Sequence, residues 1–240
     1  NLQFLKIFIF YCINLFIITP LALIFSFYIA KKYPLGGFFR VMLYLPSVLS
    51  AVVLAVLYRY IVSNAIPQIV KELSGTTMFQ YFGGKANAEQ QFKIILLYNL
   101  FLAFGTNTML YVGAMSDINP SLIEAAKIDG AGPIRQFIHV YIPMIWPTLV
   151  TFIVTGLTGI FIEQMNLYSF FGGGLEAAYS TFGYFFYVQS TTSDLVLGSS
   201  TSAVYTFSEL AAMGLVITVI IIPIVLTVRK LLNKYGPSAK

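Results

Sequence analysis

The chain alternates long, nearly unbroken apolar stretches with short polar segments. Five stretches exceed the roughly 20 residues needed to cross a bilayer. They cover about 5–30, 38–62, 92–115, 143–163 and 205–228. None has a clean polar face, so periodicity does not define them; length and flanking charge identify them as spanning helices. The pattern predicts an all-α membrane protein, a polytopic transmembrane helix bundle, with residues 1–240 as one domain and a cytoplasmic loop at 116–142.

Composition agrees with this pattern. The chain is 58% hydrophobic and 10% charged, with a mean hydropathy of +0.82, whereas soluble domains carry roughly a quarter of their residues as charges. Too little polar surface exists to cover a water-exposed globule. The excess of 14 Lys and Arg over 9 Asp and Glu therefore speaks to membrane orientation, and no nucleic-acid partner is expected. Lys31, Lys32 and Arg40 fall after the first span, Lys127 and Arg135 between the third and fourth, and Arg229, Lys230, Lys234 and Lys240 after the fifth. Basic residues collect on the cytoplasmic side, so these segments and the C-terminus are placed there. Segments 63–91 and 164–204 then face outward. In the first, Lys71 and Lys85 are balanced by Glu72 and Glu89; the second holds Glu176 and Asp194. The N-terminus falls outside. Because Asn1 opens close to an apolar run, an earlier helix is expected ahead of it; a processed end after a signal peptide is the alternative. Cys12 lies in an apolar run as a structural thiol, and one cysteine allows no internal disulfide.

The loop between the third and fourth stretches carries the most specific pattern. Asn119 or Ser121 can cap a helix beginning at Pro120, with Glu124 close behind to favour its first turn. Gly130 stops that helix at about Asp129. Gly132-Pro133 makes a second break, and a second short helix over 134–141 leads into the fourth span, near whose start Pro143 and Pro147 are tolerated. The small residues Ala125, Ala126, Gly130 and Ala131 would let a partner approach the backbone.

These residues carry a resemblance. Glu124-Ala125-Ala126, three residues, Gly130, nine residues, then Val140-Tyr141-Ile142-Pro143 resembles the cytoplasmic-loop signature of bacterial ABC importer permeases, with Val and Ile at two aliphatic positions. Asp129-Gly130-Ala131 fits the common form. The resemblance implies the type I importer permease bundle, and a coupling helix docked on an ATPase through Glu124, Ala125, Ala126, Asp129, Gly130 and Ala131. Phe38-Phe39-Arg40 with Tyr44-Leu45-Pro46, Phe170-Phe171-Gly172-Gly173-Gly174, Ser180-Thr181-Phe182-Gly183-Tyr184, and the ending 228–237 are similar to the carbohydrate branch. The implied partners are a second permease subunit, two ATPase subunits that bind ATP and Mg, an external solute-binding protein, a sugar substrate and the lipid of the bacterial cell membrane. A non-sugar solute is the alternative.

The chain itself is expected to hold no catalytic site, metal or cofactor. Gly83-Gly84-Lys85-Ala86 fails as a phosphate loop, because Phe79 and Ala86 stand where Gly and Ser or Thr are required. His139 is the sole histidine and has no catalytic companions. Polar residues inside spans are candidates for the solute path: Asn99, Ala103 and Thr106 share one helical stripe, and Gly156, Ile160 and Glu163 another. Asn99 and Thr106 could instead bond a neighbouring helix, and Gly156 with Gly159 could serve close packing. An ion-coupled transporter would need paired intramembrane charges. Glu163 and Glu209 lie near an outer boundary with no buried basic partner in the sequence pattern. A purely structural scaffold would leave the loop signature unexplained.

Overall fold

A computed structural model describes residues 2–74, 88–172, 180–195 and 205–237. Lys85, Glu176, Lys240, the segment 83–86 and Gly173-Gly174 lie outside the described residues, as do the side chains of Glu89 and Asp194. Every described element is helical. Helix α1 (Leu2–Ile13) passes through a π-turn (Asn14–Ile18) into α2 (Thr19–Ala30). Helices α3 (Gly36–Val48) and α4 (Ala51–Tyr60) follow, and a second π-turn (Ile61–Ala65) leads to α5 (Ile66–Ser74). Next come α6 (Ala88–Ser116) and α7 (Pro120–Ile128). Helix α8 (Pro133–Gln136), a third π-turn (Phe137–Tyr141) and α9 (Ile142–Ile162) form one unbroken run. Helices α10 (Leu167–Phe171), α11 (Phe182–Leu195) and α12 (Phe207–Tyr235) complete the order.

Among the described residues, five runs are long and apolar enough to cross a membrane: Ile7–Ala30, Ala51–Leu73, Gln90–Ser116, Pro133–Ile162 and Phe207–Tyr235. The second departs from the sequence expectation of one helix over 38–62. That range holds two helices meeting at Leu49 and Ser50, and the spanning run begins at Ala51. Pro46 cannot donate to the Met42 carbonyl, and Ser50 adopts extended backbone (ψ 133°) as the N-cap of α4. Hydropathy does not register such a break.

Each π-turn is followed two residues later by a proline: Pro20, Pro67 and Pro143. A proline ring collides with the carbonyl four residues back; widening the preceding turn by one residue relieves that contact without ending the helix. In the first turn the Asn14 carbonyl receives the N–H of Thr19, five residues on, and, at 3.0 Å, the Thr19 hydroxyl. Pro46, Pro147 and Pro223 are carried inside α-helices.

The chain divides into two compact units. The first takes in Asn1–Phe10, Pro46–Leu102 and Ile160–Leu215. Its described core has Ile95 and Tyr98 of α6 with Met165, Leu167, Phe170 and Tyr184, all buried. Tyr98 packs edge-on against Phe170 at 5.1 Å and tilted against Tyr58 at 4.9 Å. Helix α11 is capped by Thr181, whose hydroxyl accepts from the Tyr184 N–H at 3.0 Å.

The second unit takes in Tyr11–Leu45, Ala103–Gly159 and Val216–Lys240. Ala22 and Leu23 pack with Tyr111, Met115, Ile118, Tyr141, Ile145 and Leu149. Ser26 ties α2 to α6 by donating to the Thr108 carbonyl at 2.8 Å. Gly105 permits α6 to touch α3, since a Cβ there would stand 2.8 Å from the Leu43 carbonyl oxygen. On α12, Val219, Ile220, Ile222 and Leu226 are exposed. An apolar surface of this kind is stable against lipid or another apolar chain, not against water.

Candidate functional site

The signature loop is built by local rules. Asn119 is the N-cap, its side chain accepting from the Ser121 N–H at 3.0 Å, and Pro120 occupies the first helical position. At the other end Asp129 is the C-cap and Gly130 takes a left-handed conformation (φ 75°). The Ala131 N–H reaches the Ala126 carbonyl at 2.9 Å and the Gly130 N–H the Lys127 carbonyl at 3.0 Å. This is a Schellman closure, and it requires a residue that tolerates positive φ at position 130.

The structure thus brings the expected docking residues together on one short helix and its closing turn. Glu124, Ala125, Asp129 and Gly130 are exposed, and Ala126 and Ala131 are half-buried. A Cβ added at Gly130 would meet nothing within 4 Å. Two large apolar side chains flank the turn in the open, Ile128 at 86% and Ile134 at 76% exposure. The face combines bare backbone, a carboxylate and unburied isoleucines, which suits a protein partner. His139 lies beyond it, with Nδ1 3.2 Å from the Arg135 carbonyl.

The residues expected along a solute path have varied surroundings. Asn99 is buried, at 8% exposure, and its amide is engaged within the chain. Nδ2 donates to the carbonyls of Ile95 (2.8 Å) and Met165 (2.9 Å), and Oδ1 accepts from Asn166 Nδ2 (3.0 Å). These bonds hold a turn in which Met165 and Asn166 both have positive φ, 52° and 55°. Ala103 is half-buried and Thr106 exposed. Gly156 and Gly159 face the ring of Tyr11: a Cβ at Gly156 would lie 3.8 Å from Tyr11 Cε1, and one at Gly159 would collide with the Tyr11 hydroxyl. Gly159 thus serves close packing, whereas a Cβ at Gly156 would make only ordinary van der Waals contact. Ile160 is half-buried, and Glu163 is exposed, with Oε1 accepting from the Met165 N–H at 3.3 Å.

Sequence reasoning passed over three residues that the structure makes prominent. Arg59, a guanidinium inside the second spanning run, donates to the Phe170 carbonyl at 3.2 Å; a charge within an apolar stretch was its visible signal. Asn166 and Gln136 gave no such signal, because an amide in a polar segment is unremarkable until its burial is known.

Comparison with known proteins agrees with this geometry. A probable ABC transporter permease protein, YurN, of Bacillus subtilis is 29% identical over 163 residues, covering 66% of this chain and 55% of its own length. The sn-glycerol-3-phosphate transport system permease protein UgpA of Yersinia pestis is 27% identical over 176 residues, covering 71% and 59%. This chain therefore spans somewhat over half the length of these curated relatives. In fold, it matches a bacterial ABC transporter involved in import of the acidic polysaccharide alginate, with a TM-score of 0.75 at 17% identity over 98% of this chain and 79% of that one. Residues 18–235 match the family described as binding-protein-dependent transport system inner membrane component, and the chain belongs to that family.

Proposed function

We propose that this chain is a membrane-spanning subunit of an ATP-driven, binding-protein-dependent importer whose solute is a sugar, an oligosaccharide or a similarly hydroxylated molecule. The observation that carries the proposal is the capped helix Pro120–Ile128 with its open Gly130 turn and exposed Ile128 and Ile134. Such a face would be stable once covered, and an ATPase subunit is the occupant that the family membership favours. ATP and Mg would be bound by two such subunits, while this chain contributes no catalytic group. A second permease subunit would cover part of the apolar surface, and an external binding protein would deliver solute. The loop and the C-terminus would lie in the cytoplasm, following the basic residues.

The relatives named for sn-glycerol 3-phosphate and alginate support a polyhydroxylated solute. Thr106 on α6 and Glu163 just beyond α9 are exposed hydrogen-bonding groups, and each by itself would suit the hydroxyls of such a solute. The test is isolation of the intact complex through a tagged copy of this chain. It is joined to uptake measurements with alginate oligosaccharides, maltooligosaccharides and sn-glycerol 3-phosphate. Co-isolation of an ATPase, and uptake abolished by Gly130→Trp or Glu124→Lys at matched expression, is the expected result. Full uptake in both variants would overturn the docking role.

A further inference from the structure

Directly after the docking turn stands a buried amide. Gln136 is 3% exposed, although Ile134, Arg135, Ile138 and His139 around it are exposed. Both ends of its side chain are used: Nε2 donates to the Ala131 carbonyl at 2.6 Å, and Oε1 accepts from Lys31 Nζ at 2.6 Å. The reversed amide would face an NH2 toward an ammonium and an oxygen toward a carbonyl, so the partners fix its orientation. The Ala131 N–H is already bonded to Ala126. Gln136 therefore completes the backbone pairing of Ala131, one residue beyond Gly130.

Lys31 is the residue that closes α2. Its ammonium lies 5.1 Å from the centre of the Phe27 ring, and that ring packs on Phe137 and Tyr141, each at 4.9 Å. Burial, and secondarily the charge of Lys127, lower the Lys31 pKa. A long cationic side chain at a loop ordinarily turns its head to water. This one is directed at an uncharged amide and an aromatic face, which offset its desolvation.

We propose that Gln136 and Lys31 are positioning residues that tie the docking turn to the end of the first span. The turn is thereby presented to the ATPase in one orientation, and its displacement passes to α2 as well as to α9. The proposal rests on the docking role given above. Gln136 acts through Ala131 and touches neither nucleotide nor solute.

The experiment uses the complex isolated through a tagged copy of this chain, with ATPase retention titrated and MgATP hydrolysis measured. Gln136→Leu keeps the bulk and removes both bonds; retention should weaken about tenfold, the scale of one charge-assisted hydrogen bond. Lys31→Met should weaken it less, and the double variant should be no weaker than Gln136→Leu, because both remove the same link. Gln136→Glu, which still accepts from Lys31, should recover part of the loss; a residue that merely fills space would show no loss in the leucine variant. Wild-type retention for Gln136→Leu, or losses that multiply in the double variant, would overturn the link. Gly130→Trp in the same assay separates the two ideas. If it retains the ATPase fully, the docking role itself fails; if it alone loses the ATPase, only the link fails.

Discussion

Replacing Asn99 by leucine removes three hydrogen bonds while leaving the volume of the site nearly unchanged. The Ile95 carbonyl keeps its helical partner, but the Met165 carbonyl and the Asn166 amide lose theirs. A stranded buried polar group costs about 1–3 kcal/mol in soluble proteins, whereas polar contacts between membrane helices average about 0.6 kcal/mol. Two groups bracket the loss at about 1–6 kcal/mol. A methionine held at positive φ adds about 1–2 kcal/mol of backbone preference for relaxation once its anchor is gone. The damage should therefore centre on the turn around Met165 and Asn166. Thermal unfolding of the detergent-solubilised chain should shift downward, and amide exchange over residues 163–172 should accelerate. Unchanged melting and exchange in Asn99→Leu, accompanied by loss of uptake, would refute the anchoring role and put Asn99 in contact with solute.

Three glycine substitutions should separate close approach from open space. Gly159→Ala should destabilise the protein, and Tyr11→Phe should restore part of the loss, because the colliding atom is the Tyr11 hydroxyl; melting of the two single variants and the double variant checks this. Gly183→Ala would drive a methyl into the Ile162 carbonyl and the backbone of Glu163, at a cost on the order of 3 kcal/mol. Gly113→Ala, in α6 with nothing within 4 Å, should instead raise stability by about 0.5–1 kcal/mol, read in the same melting assay.

The helix and turn of the signature loop were legible because their determinants are local. Asn119 caps, Pro120 starts and Gly130 closes α7 within a dozen or so residues, and no distant contact is needed to set them. The third and fifth spans were legible for a similar reason, as helices long and apolar enough to stand without interpretation. The second span was not, because the break at Ser50 depends on backbone geometry that hydropathy averages away. Asn99 stood out as an amide inside an apolar stretch, yet two of its partners lie 66 and 67 residues onward, beyond the reach of any spacing rule. Gly159 shows the same limit. A small residue on a helix face is compatible with a path or with packing, and only the position of Tyr11 distinguishes them.

The π-turns preceding Pro20, Pro67 and Pro143 amount to single-residue insertions in otherwise α-helical runs. Each extra residue turns everything beyond it by about 100° around the helix axis. A stripe of side chains counted in steps of three and four across residues 137–141 therefore leaves one face and continues on another. Within α9, counted from Ile142, the stripes hold; counted from α8 they do not. Deleting one residue from such a turn while replacing its proline by alanine would let the helix close into regular α form at little local cost, yet it would swing the Gln136 side away from Lys31. Helical content would be unchanged by circular dichroism while the faces were reassigned, so a family member lacking one of these prolines should be aligned with a gap in the turn before it.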